Sequence, residues 1–184
     1  NALVAEAELT PKPGLVDADN QGPHPDMTLP MFRHSAAALA PFLAECAFGG
    51  SRFAHEAPSP AMLAAIRPIG LAAEEAMYAT TGKVNTHKGA LFAFGIAAAA
   101  LGRRIARQEQ GDWPALSADI RAICAGLEPE LGQGNTAGAR FYRQHGLPGA
   151  RGEALSGFAT LTDFALPAYQ QAFAATANRT HALR

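Results

Sequence analysis

Apolar residues recur along this chain at the three-and-four spacing of buried helix faces. The pattern predicts a helix from about Ser35 to Phe48, with Leu39, Phe42, Leu43 and Cys46 inward. Gly49-Gly50 is its expected end, and Pro41 is expected to disturb it unless it lies in the first turn. Ser59-Pro60 reads as N-cap and first helical residue of a second helix. Ile66, Ile69, Gly70, Ala73 and Met77 follow helical spacing there, Pro68 predicts a kink, and Glu74 falls at the edge of the stripe. A third helix is expected from near Thr86, with Leu91, Phe94, Ala98, Leu101 and Ile105 on one face and Arg103, Arg104 and Arg107 at its C-terminal dipole. Asp112 with Pro114 opens a fourth, bearing Leu116, Ile120, Ile123, Cys124 and Leu127. Asn135 to His145 reads as a shorter fifth closed by Gly146, and about Glu153 to Ala175 as a sixth interrupted at Pro167.

Composition agrees with that pattern. Alanine occurs 42 times and valine three times, the signature of close-packed helices and not of a sheet. The expected fold is all-α: one domain over residues 1–184, a bundle or array of about six or more helices without repeats or linkers. Hydrophobic residues make up 48% and charged ones 17%, so the chain is globular. With 15 basic against 16 acidic side chains it lacks the basic field of a general nucleic-acid binder, and any phosphate site must be local. Cys46 and Cys124 lie far apart in apolar patterns and read as buried thiols in a reducing compartment. The apolar run from Ala90 to Leu101 is short for a bilayer, and no signal peptide is evident. A cytoplasmic protein without membrane partners is expected. The start at Asn1 and the polar tail from Asn178 to Arg184 are expected to mark a piece of a longer protein.

Two dense polar stretches carry the candidate chemistry. In the first, residues 8–27, four prolines stiffen a segment containing Lys12, Asp17, His24 and Asp26. The second, Gly82-Lys83-Val84-Asn85-Thr86-His87-Lys88-Gly89, crowds cations at a helix N-terminus, where the dipole disfavours them. A nearby carboxylate or a bound anion would account for that arrangement. Asn85 and Thr86 can cap the helix or touch a ligand. Lys83 is followed by Val84, so no phosphate-loop motif is present. Gly132-Gln133-Gly134-Asn135-Thr136-Ala137 follows no strand and reads as a loop and cap, and His24-Pro25-Asp26 matches no zinc spacing. Arg140, Arg143 and His145 read as a solvated face, His34, His55 and His181 as surface or cap residues, and Phe92, Phe94, Phe141 and Phe158 as core.

Thr-Pro-Lys-Pro-Gly-Leu-Val-Asp at 10–17, Gly-x-His-x-Asp-Met at 22–27, Arg67-Pro68-Ile69-Gly70, Glu74, Val-Asn-Thr-His-Lys-Gly at 84–89 and Gly-Ala-Arg-Gly-Glu-Ala at 149–154 occur together and in this order. The set resembles the triphosphoribosyl-dephospho-CoA synthase family across nearly the whole chain. The resemblance implies an all-α transferase that joins ATP to 3′-dephospho-CoA and releases adenine. Its product is the precursor of the prosthetic group on the acyl carrier subunits of citrate lyase and malonate decarboxylase. Family members usually continue past the helix that begins near Arg151, with Asn-Asp-Thr-Asn-like and Gly-Gly-Ser-Ala-Asp-like stretches that are not present here. The chain is therefore expected to be the N-terminal portion of a longer synthase. Lys83, where a small residue is common, and Ala159, where proline is common, are smaller departures.

Breaking the bond from ribose C1 to adenine develops positive charge on the sugar and calls for a carboxylate near C1, a base for the incoming 2′-hydroxyl and a proton for adenine. The resemblance implies Lys12, Lys88 and Arg151 for phosphate, with His24, Asn85, Thr86 and Glu153 as further substrate contacts. Glu74 is the first choice for base, Asp17 for the second carboxylate and His87 for phosphate or adenine. Mg²⁺ is expected with ATP, and Asp26 is its candidate ligand. Partners are ATP and 3′-dephospho-CoA, with a homo-oligomer left open. Two other classes stay open: a non-catalytic ATP- or CoA-binding helical domain, and an interaction module of the lyase or decarboxylase. A nucleoside hydrolase is a weaker enzymatic alternative.

Overall fold

The computed structural model describes residues 2–134 and 137–183. Among them every regular element is helical, in agreement with the alanine-rich pattern. In chain order these are α1 (Ala2–Glu8), α2 (Leu29–Ser51), α3 (Pro60–Thr80), α4 (Lys88–Ala106), α5 (Trp113–Cys124), α6 (Ala137–His145), α7 (Gly149–Leu155), α8 (Leu166–Thr176) and α9 (Arg179–Ala182). A 3₁₀ turn at Glu128–Glu130 precedes α6, and a π turn at Leu161–Ala165 leads into α8. Asn135 and Thr136, the expected start of the fifth helix, lie outside the described residues.

Helix α4 is central and packs against α2, α3, α5 and α7. By length and apolar composition alone it would be long enough to cross a bilayer. Here Leu91, Ile96, Ala99, Ala100 and even Arg103 are buried against neighbouring helices. The face it buries corrects the sequence expectation. Phe94 and Ile105 are 42% and 65% exposed, whereas Gly95, Ala99 and Gly102 turn inward. The reason is a close crossing with α2. A Cβ added to Gly50 would stand 1.9 Å from the Ala99 carbonyl oxygen, and one on Gly102 would stand 1.9 Å from that of Ala47. Bulky residues cannot occupy this face. Gly50 is accordingly a packing residue as well as lying one residue before the end of α2 at Ser51.

The main core joins Cys46 of α2, Met62 and Ile66 of α3, Ile96 of α4, and Ile120, Ile123 and Cys124 of α5. Each fully buried isoleucine contributes roughly 1.5–3 kcal/mol. A second core, near the N-terminus, holds Leu3, Ala36, Leu39, Ala73, Met77 and Leu91. Burial pushes the Cys46 thiol up to about 11 and Cys124 up to about 12, so both stay protonated, inert packing groups near neutral pH.

Caps and prolines explain the helix limits. Asp112 accepts from the Ala115 N–H to open α5, as its sequence position predicts (2.9 Å). Thr28 does the same for α2, accepting from Met31, so that helix starts earlier than the apolar pattern suggested. Pro41 and Pro68 sit inside continuous helices rather than at their first turns. Both rings are exposed, and the carbonyls they leave unpaired belong to exposed Ala37 and Ala64. The expected sixth helix breaks at Gly157, not at Pro167. Gly157 has φ +72, and a Cβ there would meet the Ser117 carbonyl oxygen at 2.5 Å. Pro167 instead occupies the first turn of α8. The three arginines at the end of α4 do more than meet a dipole. Arg103 donates to the Glu56 carbonyl, Arg104 bonds Asp119, and Arg107 reaches the Ala54 carbonyl.

Candidate active site

Arg67, Gly70, Leu71, Glu74 and Tyr78 are spaced at three or four residues and form one face of α3. That face, the start of α4, the 3₁₀ turn, α6 and α7 enclose a cavity of about 590 Å³. Its size suits a small-molecule ligand. Its charged lining is three cations, Arg67, Lys88 and Arg151, against two carboxylates, Glu74 and Glu130. Tyr78, Phe92 and Tyr142 supply aromatic surface.

The charges are arranged as linked pairs. Lys88 reaches from the first turn of α4 to the Glu74 carboxylate on α3. This is the carboxylate that a lysine at a helix N-terminus requires, and it changes the setting expected for Glu74. The residue is half of an ion pair, not an isolated acid against an apolar stripe. Arg67 donates both terminal nitrogens to Glu130 (2.6 and 3.2 Å), and Arg151 donates to the Glu130 carbonyl at 3.0 Å. The Arg67 hydrogen bonds hold the Glu130 carboxyl below its ordinary range, and Glu130 in turn raises Arg67.

The presentation of Lys88 and Asn85 depends on a polar anchor behind the cavity. Asn85 accepts from the N–H of Lys88, the first residue of α4 (3.1 Å). Thr86 Oγ1 donates to Ser35 Oγ (2.8 Å), and Ser35 Oγ shares a hydrogen bond with His87 Nδ1 (2.8 Å). His87 is only 4% exposed, its ring edge-on to Phe32, and Nε2 has no partner among the described residues. Burial lowers its pKa, with Glu6 opposing more weakly. His87 does not line the cavity; its hydrogen bond with Ser35 ties the start of α4 to α2 behind it.

Of the residues singled out from sequence, Glu74, Asn85, Lys88 and Arg151 converge on the cavity. Lys12, Asp17, His24, Asp26, Thr86 and Glu153 do not line it. Lys12 Nζ is held by the carbonyl and carboxylate of Glu6 (2.8 Å each). Asp17, 4% exposed, accepts from the backbone N–H groups of Lys12, Asp19 and Asn20 (2.8, 2.9 and 3.0 Å). Those bonds lower its pKa, that from Lys12 most, and make it the organiser of the Pro-rich loop. Glu153 accepts from the hydroxyl and N–H of Thr160 across the break after α7 (2.7 and 3.2 Å), while Arg151 turns to Glu130 instead. His24 and Asp26 lie in the loop before α2, and Asp26 is exposed. Among the described residues no group of three or more acidic, histidine or cysteine side chains is arranged to hold a metal ion. Phe94 and Phe141 are exposed, contrary to their reading as core.

Sequence reasoning assigned no role to Arg67, Tyr78, Glu130 or Tyr142. The 67-70-74-78 spacing could have found the first two. Glu130 sits in a three-residue turn with no periodicity to mark it.

The model of the ATP:dephospho-CoA triphosphoribosyl transferase family matches residues 1–184. The chain belongs to that family. A protein of Pectobacterium carotovorum, named a probable 2-(5″-triphosphoribosyl)-3′-dephosphocoenzyme-A synthase, is 45% identical over 187 residues, covering 100% of this chain and 62% of the relative. The synthase of Pectobacterium atrosepticum is 46% identical over 179 residues, covering 95% and 59%. A probable synthase of Vibrio cholerae is 44% identical over 194 residues, covering 100% and 60%. The chain thus spans about three-fifths of the length of these triphosphoribosyl transferase relatives. No solved structure matches it.

Proposed function

We propose that this chain supplies the ATP-handling face of a transferase that joins ATP to 3′-dephospho-CoA and releases adenine. The observation that carries the reading is the convergence of Arg67, Lys88 and Arg151 on one cavity in a chain of this family. A triphosphate carries about four negative charges and needs several cations in one place. Each cavity cation is paired with a carboxylate or carbonyl, so the site stays balanced until an anion competes for them.

In the reaction the C1–N bond to adenine breaks and a bond from C1 to the 2′-oxygen of dephospho-CoA forms. The 2′-hydroxyl loses its proton, and adenine leaves after gaining one. When a phosphate draws Lys88 away, the Glu74 carboxylate is released beside the substrate. It can then take the hydroxyl proton or face the positive charge at C1. Arg151 and Arg67 hold the phosphates, and Asn85 fixes the start of α4 from which Lys88 extends. Mg²⁺ carried in on ATP would rest on Glu74 or Glu130, since it commonly uses one or two protein carboxylates beside phosphates and water, and would offset phosphate charge. The product would serve an acyl carrier subunit, and the inert thiols fit a reducing cytoplasm.

The test is adenine release from ATP and Mg²⁺, with and without dephospho-CoA, by the wild-type chain and Lys88→Ala. Release that requires dephospho-CoA and disappears in the variant supports the reading. Binding of ATP without release would instead make this region a nucleotide-binding part of the longer synthase. Failure to bind either substrate would sink the assignment.

A further inference from the structure

Of three cavity-lining glycines whose added Cβ would meet no atom and whose φ is not positive, Gly70, Gly89 and Gly138, the first two flank the Glu74–Lys88 pair. Gly70 lies midway along α3, one turn before Glu74, and Gly89 follows Lys88 in α4. Both line the cavity, and neither has a positive φ. A Cβ built on either meets no atom within 4 Å. Gly50 and Gly102 differ sharply, because a Cβ at each would strike a backbone 1.9 Å away. Glycine in a helix is less stable than alanine by up to about 1 kcal/mol, so packing and propensity both favour alanine at 70 and 89. A methyl group at either position would enter open space, and both residues border the cavity.

We propose that Gly70 and Gly89 are substrate-contact positions, where bare backbone lets the sugar–phosphate part of a nucleoside triphosphate lie directly against α3 and α4. They flank the Glu74–Lys88 pair, so a substrate seated on them also reaches the lysine and the carboxylate. The proposal rests on the cavity being the ATP site. It adds that depth of seating, and hence the fit of the ribose and phosphates, is set by the missing side chains. The two glycines close the sequence motifs Arg67-Pro68-Ile69-Gly70 and Val84 to Gly89.

The experiment measures ATP–Mg²⁺ and dephospho-CoA binding by titration calorimetry, with melting temperature recorded in parallel. The chain is compared with Gly70→Ala, Gly89→Ala and Ala72→Gly, the last an exposed α3 position outside the cavity lining. The alanine variants should melt about 1–4 °C higher. They should also bind ATP at least ten-fold more weakly. Ala72→Gly should show the opposite pattern, melting lower with ATP affinity unchanged. Alanine variants that bind ATP within two-fold of wild type would overturn the proposal and leave the ATP reading standing. Lower melting temperatures in them would show that the glycines serve the fold, and would also overturn it. A wild-type chain that binds neither ligand would sink the ATP reading, and the glycine proposal with it.

Discussion

Replacing Gly50 with alanine tests the helix crossing that supports the cavity. The new Cβ would sit 1.9 Å from the Ala99 carbonyl oxygen. Carbon–oxygen contacts close at about 3.3 Å, so α2 and α4 must separate by roughly 1.4 Å. Both sides of this contact are backbone, and no rotamer can relieve it. Separation of that size forfeits a large part of the dispersion energy between surfaces that were in contact. Overpacking typically costs 1–3 kcal/mol, and a contact without a flexible partner belongs at the top, about 3 kcal/mol. For a chain of this length that corresponds to a melting temperature lower by roughly 6–12 °C. Urea midpoints at constant m-value and thermal melts followed by circular dichroism would read the change. Gly102→Ala should behave alike, because its Cβ meets the Ala47 carbonyl oxygen at the same distance. A Gly50→Ala protein within about 0.5 kcal/mol of wild type, the range of neutral surface changes, would refute the reasoning. It would mean that the two helices can slide apart without loss.

Other expectations follow from the polar anchors. Burial holds His87 below its ordinary pKa of 6.5 in the folded chain. The unfolded chain therefore binds the proton first, and the stability due to neutral His87 is complete above 6.5 and lost as pH falls through it toward the lowered value. Urea midpoints of wild type and His87→Gln from about pH 8 to pH 5 should diverge, the variant having the flatter dependence; parallel curves would refute the assignment. Arg67→Ala removes a half-exposed pair with Glu130, so stability should change by less than about 1 kcal/mol, while ATP binding weakens several-fold in a filter or calorimetric assay. Asp17→Asn replaces one acceptor oxygen by a donor facing backbone N–H groups, and limited proteolysis should then cut residues 10–20 faster than in wild type. The Asp17 carboxyl is held below its ordinary 3.8, so the wild-type protection is complete above that value and fades as pH falls from there toward the lowered pKa.

The helical class, the α5 cap at Asp112, the inward set Ile120, Ile123 and Cys124, and the family motifs were all legible in the amino-acid order. Each depends on residues within a turn or two of one another, where spacing and composition carry the information. The anion-seeking character of the Lys88 segment was legible for the same reason, since cations at a helix N-terminus require a partner whatever surrounds them. The partner was not. Glu74 is fourteen residues earlier, and Glu130, which joins Arg67 to Arg151, lies in a turn without periodicity.

Tertiary packing reversed one sequence reading and gave two candidate residues partners that the chain order does not show. The large apolar residues of α4 suggested a Phe94–Ile105 face, but the approach of α2 admits only glycine and alanine there, so shape decided burial over hydrophobicity. Asp17 and His87 have the chemistry of catalytic groups and sit in the densest motifs, yet their neighbours commit them to backbone N–H groups and to Ser35. Sequence alone determined that the chain is helical and where its motifs of polar, chemistry-bearing residues lie. Only the fold decided which of them face one cavity, because that depends on contacts between segments far apart along the chain.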